Sequence, residues 1–393
     1  MQIKTRRLAR KLINEFKPVT GQGYKSSLRQ LFEILQLLLR CQLTPEEYYF
    51  YEFHKSGIDY KHMLNYISNY QKKHYFRPAL NNHEWGEVFQ NKFMFNEYMK
   101  KMSFPVTNIH GVYDQNSEHV KSGMLLTNPE ELKGFFLQNK PETLVIKPVC
   151  GCEGKGVLVF KELIYLNDEI IGITGVSQKY SFGDIVNHLH QKVPGIVNLG
   201  YIMEEKLNQH ELINQLNPSS LNTLRVLTLL EKQGTVNFHT ATIRLGRAGS
   251  FLNNASRGGL LVYIDPETGI IGKGLIGKGF GSGFYDEHPD SKIKFVGMKI
   301  PFWEEVIRLC SEAAKCFPYC RDLGWDIAIT PDGPVFVEGS HVHDIVIQVV
   351  TNGFLQPGVR KSLDELGLAF PDNKLPGVNF KKTLQAIQYW SGK

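Results

Sequence analysis

GWDIAITPDGPVFVEGS, residues 324–340, is the stretch that decides the fold of this 393-residue chain. Apolar residues fill both arms, and Pro331-Asp332-Gly333 between them is typical of a tight turn. We therefore predict two paired strands, at Ile327–Thr330 and Val335–Glu338. Pairing across this turn can bring the carboxylates of Asp326 and Glu338 together.

Two carboxylates in apolar strands are costly to bury unless a positive charge neutralises them. Mg²⁺ on nucleotide phosphates is one such charge, since proteins usually hold this ion with one or two carboxylates plus phosphate oxygens. The alternative is a buried ion pair with an arginine such as Arg225 or Arg244. The local sequence favours neither.

Arg225 and Arg244 each lie in a predicted strand, within the segments Asn222–Arg225 and Ala241–Arg244. A guanidinium donates two parallel hydrogen bonds to a phosphate or a carboxylate. Asn254 lies shortly before Gly258-Gly259 and offers an oxygen to a metal or an amide to phosphate. Taken singly, each of these residues is better explained as a surface arginine or as part of a polar turn.

A glycine-rich segment follows the predicted strand Leu144–Lys147 and precedes another at Val157–Phe160. Its glycines are Gly151, Gly154 and Gly156. Glycines let the backbone approach a ligand closely and direct N–H groups at phosphate oxygens, and Lys147 adds a compact positive charge. Strand, loop and strand make a hairpin, which differs from the strand-to-helix step of a dinucleotide fold.

The remaining pattern predicts an α+β class with antiparallel sheet. Helices are expected at Leu28–Cys41, after Thr44 as an N-cap, across His54–Tyr75, at Asn91–Met102 and at Trp303–Cys316. Further strands are expected at Gly200–Met203, Thr223–Leu230, Thr235–Ile243 and Gly259–Ile264.

The formal net charge of +6 is concentrated near the start of the chain. Up to Arg40 the sequence has nine Lys/Arg against Glu15 and Glu33, so we predict a basic N-terminal arm. The arm is compatible with an acidic membrane surface or with an ordinary solvated helix face, which we favour; nucleic acid is not expected. No apolar run predicts a membrane span or a secretory signal, and six sparse cysteines fit reduced thiols in a cytoplasm.

The order of these motifs resembles the ATP-grasp superfamily, and more narrowly its sugar-transfer-associated family, over about residues 91–340. The resemblance rests on Asn217–Arg225, Asn254, Arg257-Gly258-Gly259, His288-Pro289, Ile300–Trp303 and Gly324–Asp326 through Glu338-Gly339. It implies two α+β subdomains that clamp ATP, added to a helical N-terminal unit. The predicted divisions are 1–75 for the helical unit with its basic arm, 76–140 for a linker region, 141–210 for the small subdomain with the glycine hairpin, 211–345 for the large subdomain with the metal site, and 346–393 for a C-terminal tail.

The resemblance also implies roles for single residues. Lys147 and Lys92 would contact phosphates; Met203, Glu204 and Glu205 would receive adenine; Arg225 and Arg244 would steady the γ-phosphate and an acyl phosphate. His210, Asn222 and Asn254, with Gly151, Gly154 and Gly156, complete the predicted nucleotide site. Asp326, Glu338 and Ser340 are the predicted metal ligands. Ser340 stands where the family usually has asparagine. An alternative interpretation is therefore a protein that binds ATP in a degenerate site.

The resemblance implies an ATP- and Mg²⁺-dependent ligase that activates a carboxylate as an acyl phosphate and joins it to an amine, in cell-surface polysaccharide or sugar-precursor modification. One or two ions are expected, and Mn²⁺ can replace Mg²⁺. The expected substrates are an amino acid, amino sugar or nucleotide sugar, and a peripheral membrane or glycosyltransferase partner is compatible with the arm. The alternatives are an ATP-grasp kinase and a non-catalytic ATP-binding sensor or scaffold. The oligomeric state is not predicted.

Overall fold

The fold consists of two sheets joined by helices, as the computed structural model shows for residues 14–115, 125–151, 154–194, 199–253, 258–276, 283–368, Gln385 and Tyr389. The strands are β1 Ile109–Tyr113, β2 Leu125–Leu126, β3 Leu144–Pro148, β4 Leu158–Leu166, β5 Glu169–Thr174, β6 Lys179–Ser181, β7 Tyr201–Glu204, β8 Thr223–Leu230, β9 Val236–Leu245, β10 Leu260–Ile264, β11 Ile271–Ile276, β12 Phe284–Tyr285, β13 Asp322–Thr330 and β14 Gly333–Ser340. All pairs of these strands are antiparallel except the parallel pair β1–β2.

Helices flank both sheets. They are α1 Ser27–Cys41, α2 Pro45–Phe50, α3 Tyr60–Met63, α4 Asn69–Gln71, a π-helical turn Lys72–Phe76, α5 Arg77–Leu80, α6 Gly86–Gln90, α7 Lys92–Lys101, α8 Pro129–Asn139, α9 Phe182–His190, α10 Glu211–Leu216, α11 Trp303–Lys315, a 3-10 turn Ile345–Ile347, α12 Gln348–Thr351 and α13 Pro357–Glu365. In the described part of the chain, no helix is long and apolar enough to cross a membrane.

The first sheet, called here the carboxylate sheet, has the order β12-β11-β10-β9-β8-β13-β14. Asp326 pairs with Glu338 across the β13–β14 hairpin and with Arg225 on its other side, in β8. Gly333, with φ +132°, makes the turn that the sequence predicted. The predicted cross-strand arrangement of the two carboxylates is therefore confirmed.

The second sheet, called here the hairpin sheet, has the order β2-β1-β7-β3-β4-β5-β6. Strands β3 and β4 pair antiparallel, from Leu144 opposite Phe160, so the hairpin around the glycine-rich segment is confirmed. Strand β4 is longer than predicted and continues through a turn into β5. The turn contains Asn167 and Asp168, both with positive φ, which these two residue types tolerate better than most.

The N-terminal helices share a hydrophobic core with the carboxylate sheet. Helix α1 begins after the N-cap Ser26, and α2 has a capping box between Thr44 and Glu47, as the sequence predicted in part. The segment His54–Tyr75, predicted to be helical, contains the short helices α3 and α4 and the start of the π-helical turn, with irregular backbone between them. Asp59 and Ser68 each cap a new short helix and so divide the segment into separate turns.

Residues after 345 also pack on the carboxylate sheet. Phe354, Leu355 and Val359 lie in one buried cluster with Phe76 and Leu229. The two ends of the described chain thus cover the same sheet, whereas the divisions proposed from the sequence remain predictions.

Candidate functional site

A cavity of about 560 Å³ lies between the two sheets and contains most of the predicted site residues. From the hairpin sheet and its flanks, the lining includes Lys92, Lys147, Gly151, Gly154, Lys155, Glu204 and Glu205. From the carboxylate sheet and its flanks, it includes Arg225, Arg244, Phe251, Asp326, Glu338, Ser340, His343 and Asp344. Residues far apart in sequence therefore face one space.

Asp326 is held by two arginines at the floor of this cavity. Arg225 donates from Nε to Oδ1 at 2.6 Å and from Nη2 to Oδ2 at 2.7 Å, while Arg244 Nη1 donates to Oδ2 at 3.1 Å. Burial alone would raise the pKa of Asp326, but the two guanidiniums outweigh it and lower that pKa. Of the two alternatives left open by the sequence, the structure shows the ion pair; the metal role of Asp326 remains a prediction.

Glu338 is differently placed, because its side chain is 33% exposed and faces the cavity. Among the described residues its nearest ion-pair partner is Lys92, whose Nζ lies 3.8 Å from Oε1. Lys92 Nζ also donates to the carbonyl of Gly151 at 2.6 Å, which fixes this lysine beside the glycine-rich segment. Glu338 thus keeps its oxygens available to a ligand in the cavity.

No group of three or more His, Cys, Asp or Glu side chains in the described residues is arranged to hold a metal by itself. A divalent ion beside Glu338 would need further oxygens from a ligand or from water. Mg²⁺ bound to phosphates accepts that coordination, since this ion usually retains waters and takes few protein ligands. The residues present therefore fit a phosphate-bound Mg²⁺ and do not fit an ion held by protein alone.

The hydroxyl of Ser340 is already engaged. It donates to the carbonyl of Val342 at 2.7 Å and accepts from the Val342 N–H at 3.2 Å. Because a hydroxyl oxygen has two acceptor positions, one of them remains for a cation. The predicted metal role of Ser340 remains a prediction.

Lys147 is paired with Glu204 between neighbouring strands of the hairpin sheet. The distance from Lys147 Nζ to Glu204 Oε1 is 2.7 Å, and both side chains are buried. The hydroxyl of Thr107 donates to the second oxygen of Glu204 at 2.9 Å, and Asn96 in turn donates to the Thr107 carbonyl. This chain of contacts fixes the Lys147 ammonium at the cavity wall.

Four predicted residues lie outside the cavity lining. Met203 is in the core, with its strand paired on both sides, and His210 caps α10 and packs against the Phe302 ring. Asn222 is hydrogen-bonded to Gln209, and a Cβ at Gly156 would lie 3.0 Å from Pro148 and 3.1 Å from Val193. Asn254 falls outside the described residues.

A buried polar network around His343, which also lines the cavity, was not predicted from the sequence. Lys72 Nζ is 2.5 Å from His343 Nδ1, and His343 Nε2 is 2.8 Å from both carboxylate oxygens of Asp322. An ammonium can only donate, so His343 accepts at Nδ1 and donates from Nε2 to Asp322. The network joins the π-helical turn to the segment after β14. No local pattern could have found it, because its members are up to 271 residues apart.

This network predicts a pH effect on stability. Burial, with help from Lys72, lowers the pKa of His343 to about 4, despite the opposing charge of Asp322. An unfolded histidine has a pKa of about 6.5, so between these values only the unfolded state takes up the proton, and stability is lost as the pH falls through that window. We expect the free energy of unfolding to depend less on pH between about 6.5 and 4 in His343→Gln than in the wild type. Urea unfolding at several pH values measures this; parallel curves for the two proteins would contradict it.

Some solved structures to which this chain is similar are a biotin carboxylase–β,γ-ATP complex from Campylobacter jejuni (11% identity, 73% of this chain, 48% of that chain, TM-score 0.43), an L-amino acid ligase from Bacillus licheniformis (11%, 72%, 52%, 0.38) and a D-cycloserine synthetase (10%, 73%, 73%, 0.39). The chain spans about half the length of the first two. No curated protein matches it by sequence.

The model of the sugar-transfer associated ATP-grasp family matches residues 71–364, which is more than half of the chain. The match begins earlier and ends later than the resemblance found by motif, and so includes Lys72 and His343. The two-sheet α+β architecture agrees with the fold expected for that family. This chain therefore belongs to the sugar-transfer associated ATP-grasp family.

Proposed function

We propose that the protein is an ATP- and Mg²⁺-dependent ligase that joins a carboxylate to an amine through an acyl phosphate. The proposal rests on one observation. The same cavity has Lys92 and Lys147 on one wall and Arg225, Arg244 and Glu338 on the other. Cations on both walls suit a triphosphate between them. The carboxylate of Glu338, which faces the cavity, suits the Mg²⁺ ion that accompanies the triphosphate.

In this proposal Lys147 and Lys92 bind the phosphates from the side of the hairpin sheet. Mg²⁺, held by Glu338 with Asp326 or Ser340, would neutralise phosphate charge. Among the described residues, only Asp326 accepts hydrogen bonds from Arg244, through Nη1. The other nitrogens of Arg244 are therefore suited to orient the substrate carboxylate and the transferring phosphoryl group.

The reaction is balanced without a nucleophilic side chain. A carboxylate oxygen of the substrate attacks the γ-phosphorus, and the bond from that phosphorus to the β,γ-bridging oxygen breaks, which releases ADP. The amine then attacks the acyl carbon; phosphate leaves and the amine loses a proton. The residues contribute positioning and charge neutralisation, which account for most catalysis in phosphoryl transfer.

A second candidate is ATP binding without turnover. Ser340 favours it, because the hydroxyl is shorter than the usual asparagine and is shared with Val342. Ser340→Asn discriminates between the two functions. If the wild type turns over ATP and the variant is no faster, position 340 does not limit the reaction.

The experiment that tests the proposal is ADP release from Mg-ATP with pools of amino acids, amines, amino sugars and nucleotide sugars. Lys147→Ala and Glu338→Ala are the inactive variants. Lys161→Ala, an exposed lysine of the same sheet, is the matched control. Stimulation by one pool in the wild type and the control, but not in the variants, supports the ligase. ATP binding with no stimulated release supports the second candidate.

We expect Glu204→Gln to weaken ATP binding roughly tenfold, because charge-assisted hydrogen bonds are each worth about 1.5–3 kcal/mol and this one fixes Lys147. Calorimetric titration of the folded variant with Mg-ATP measures the effect. Thr107→Val, which removes only the supporting hydroxyl, should have a smaller effect in the same direction. An unchanged dissociation constant for Glu204→Gln would rule out a positioning role.

A further inference from the structure

Helix α1 has an apolar face that the described part of the chain leaves uncovered. Leu28, Phe32 and Leu35 are 81%, 61% and 39% exposed, and their spacing places them on one side of the helix. The opposite side is buried in the core through Ile34 and Leu37. Large apolar side chains grouped on an exposed helix face usually mark an interaction site.

The charge around this face is positive. Glu33 is the one acidic residue of α1, and it is buried and paired with Lys25 at 2.9 Å and with Arg29 at 3.0 Å. Arg29 remains 55% exposed, and Arg40 is in the last turn. The thirteen residues before the described chain contain Lys4, Arg6, Arg7, Arg10 and Lys11 and no acid.

We propose that α1 docks on an anionic lipid surface, with Leu28, Phe32 and Leu35 inserted at the boundary between headgroups and acyl chains. Apolar insertion combined with basic residues is what holds an amphipathic helix in a membrane interface. Arg29, which is 55% exposed, and the five positive charges that the sequence carries between Lys4 and Lys11 would favour an anionic surface over a neutral one. The proposal does not depend on the ligase proposal.

A second copy of the chain is a poorer occupant of the same face. Two copies meeting through α1 would bring two basic arms together, which is unfavourable for like charges. An anionic lipid surface does not have this disadvantage, because it attracts basic residues.

The buried side of α1 connects the proposed membrane face to the cavity. Ile34 and Leu37 belong to the same hydrophobic cluster as Leu261 and Ile347. Those two residues line the cavity near His343 and Asp344. A docked α1 would therefore place this end of the cavity one packed layer from the lipid surface.

The test is sedimentation of the full chain with phosphatidylcholine vesicles, with and without phosphatidylglycerol, at low and high salt. We expect binding only to the anionic vesicles, and weaker binding at high salt. The variant Leu28→Ser/Phe32→Ser should bind roughly tenfold or more weakly, since it loses apolar insertion. Leu166→Ser/Val176→Ser is the matched control, because these residues are also exposed, at 56% and 49%, but lie in the hairpin sheet and its turn.

Equal thermal midpoints for both variants will show that α1 still folds. Absence of binding to anionic vesicles, or equal binding by the two double variants, overturns the proposal. Light scattering after size exclusion distinguishes the other occupant. A dimer that Leu28→Ser/Phe32→Ser dissociates would show that the face belongs to a second copy, and would also overturn it.

Discussion

Glu338→Gln is expected to reduce ATP turnover by roughly two to three orders of magnitude, the scale seen when one group that stabilises transition-state charge is removed. Glutamine keeps the shape of the side chain and removes the charge that would bind Mg²⁺. Stability should change little, because Lys92 Nζ, at 3.8 Å, is beyond hydrogen-bond distance of Glu338. Steady-state ADP release and the thermal midpoint together measure the two effects.

The matched control is Glu305→Gln, which removes an exposed carboxylate of α11. It should leave both turnover and stability unchanged. If Glu338→Gln keeps more than about a tenth of the wild-type rate, the loss of activity is too small for the removal of a metal ligand. The metal assignment would then have to be given up.

Asp326→Ala is expected to destabilise the fold by about 3–5 kcal/mol, the usual cost of breaking a buried ion pair by removing one partner. The variant leaves two guanidiniums facing each other without their shared counter-ion. Asp326 and Arg225 each have side chains only 10% exposed, so solvent cannot replace the lost charge. Urea unfolding at neutral pH gives the change in free energy directly.

The chain contains a suitable control for this prediction. Arg247 and Asp290 form the same bidentate pair, at 2.7 Å for each bond, but their side chains are 37% and 24% exposed. Asp290→Ala should therefore cost only about 0–1 kcal/mol. If Asp326→Ala and Asp290→Ala lower the free energy of unfolding equally, burial does not increase the contribution of the Asp326 ion pair to stability. The double variant Arg225→Met/Asp326→Leu should recover part of the lost stability.

The sequence predicted the hairpins well because their signals are local. Tight-turn residues and apolar runs determine β13 and β14, and Asn91, Ser26 and Thr44 supply helix caps within three residues of the groups they bind. Strands β2, β5, β6, β11 and β12 and helices α8, α9 and α10 are among the elements that were not predicted. The burial of β5 alternates, but its sequence does not reveal this, because Ile171 and Ile173 lie on the less buried face and Gly172 and Thr174 on the buried one.

The contents of the site were predictable only in part. Asp326 and Arg225 are 101 residues apart, and no local feature of the sequence predicts whether Asp326 pairs with this arginine or binds a metal. Lys72 and His343 are still more distant and were not recognised at all. His210 shows that a local contact can be overlooked too, since its capping of α10 was not predicted; its role beside the nucleotide remains a prediction. Long-range charge pairing thus limits prediction of the site more than strand or helix formation does.

The measurement that tests the central claim most directly is oxygen-18 transfer from substrate to phosphate. The protein is incubated with Mg-ATP, pooled amines and pooled carboxylic acids whose carboxylate oxygens carry oxygen-18, and the released phosphate is examined by mass spectrometry. An acyl-phosphate ligase predicts one heavy oxygen in each phosphate released, and Glu338→Gln should release this labelled phosphate roughly two to three orders of magnitude more slowly. ADP formed with unlabelled phosphate, or with the phosphoryl group retained on a hydroxyl, would contradict the proposed reaction.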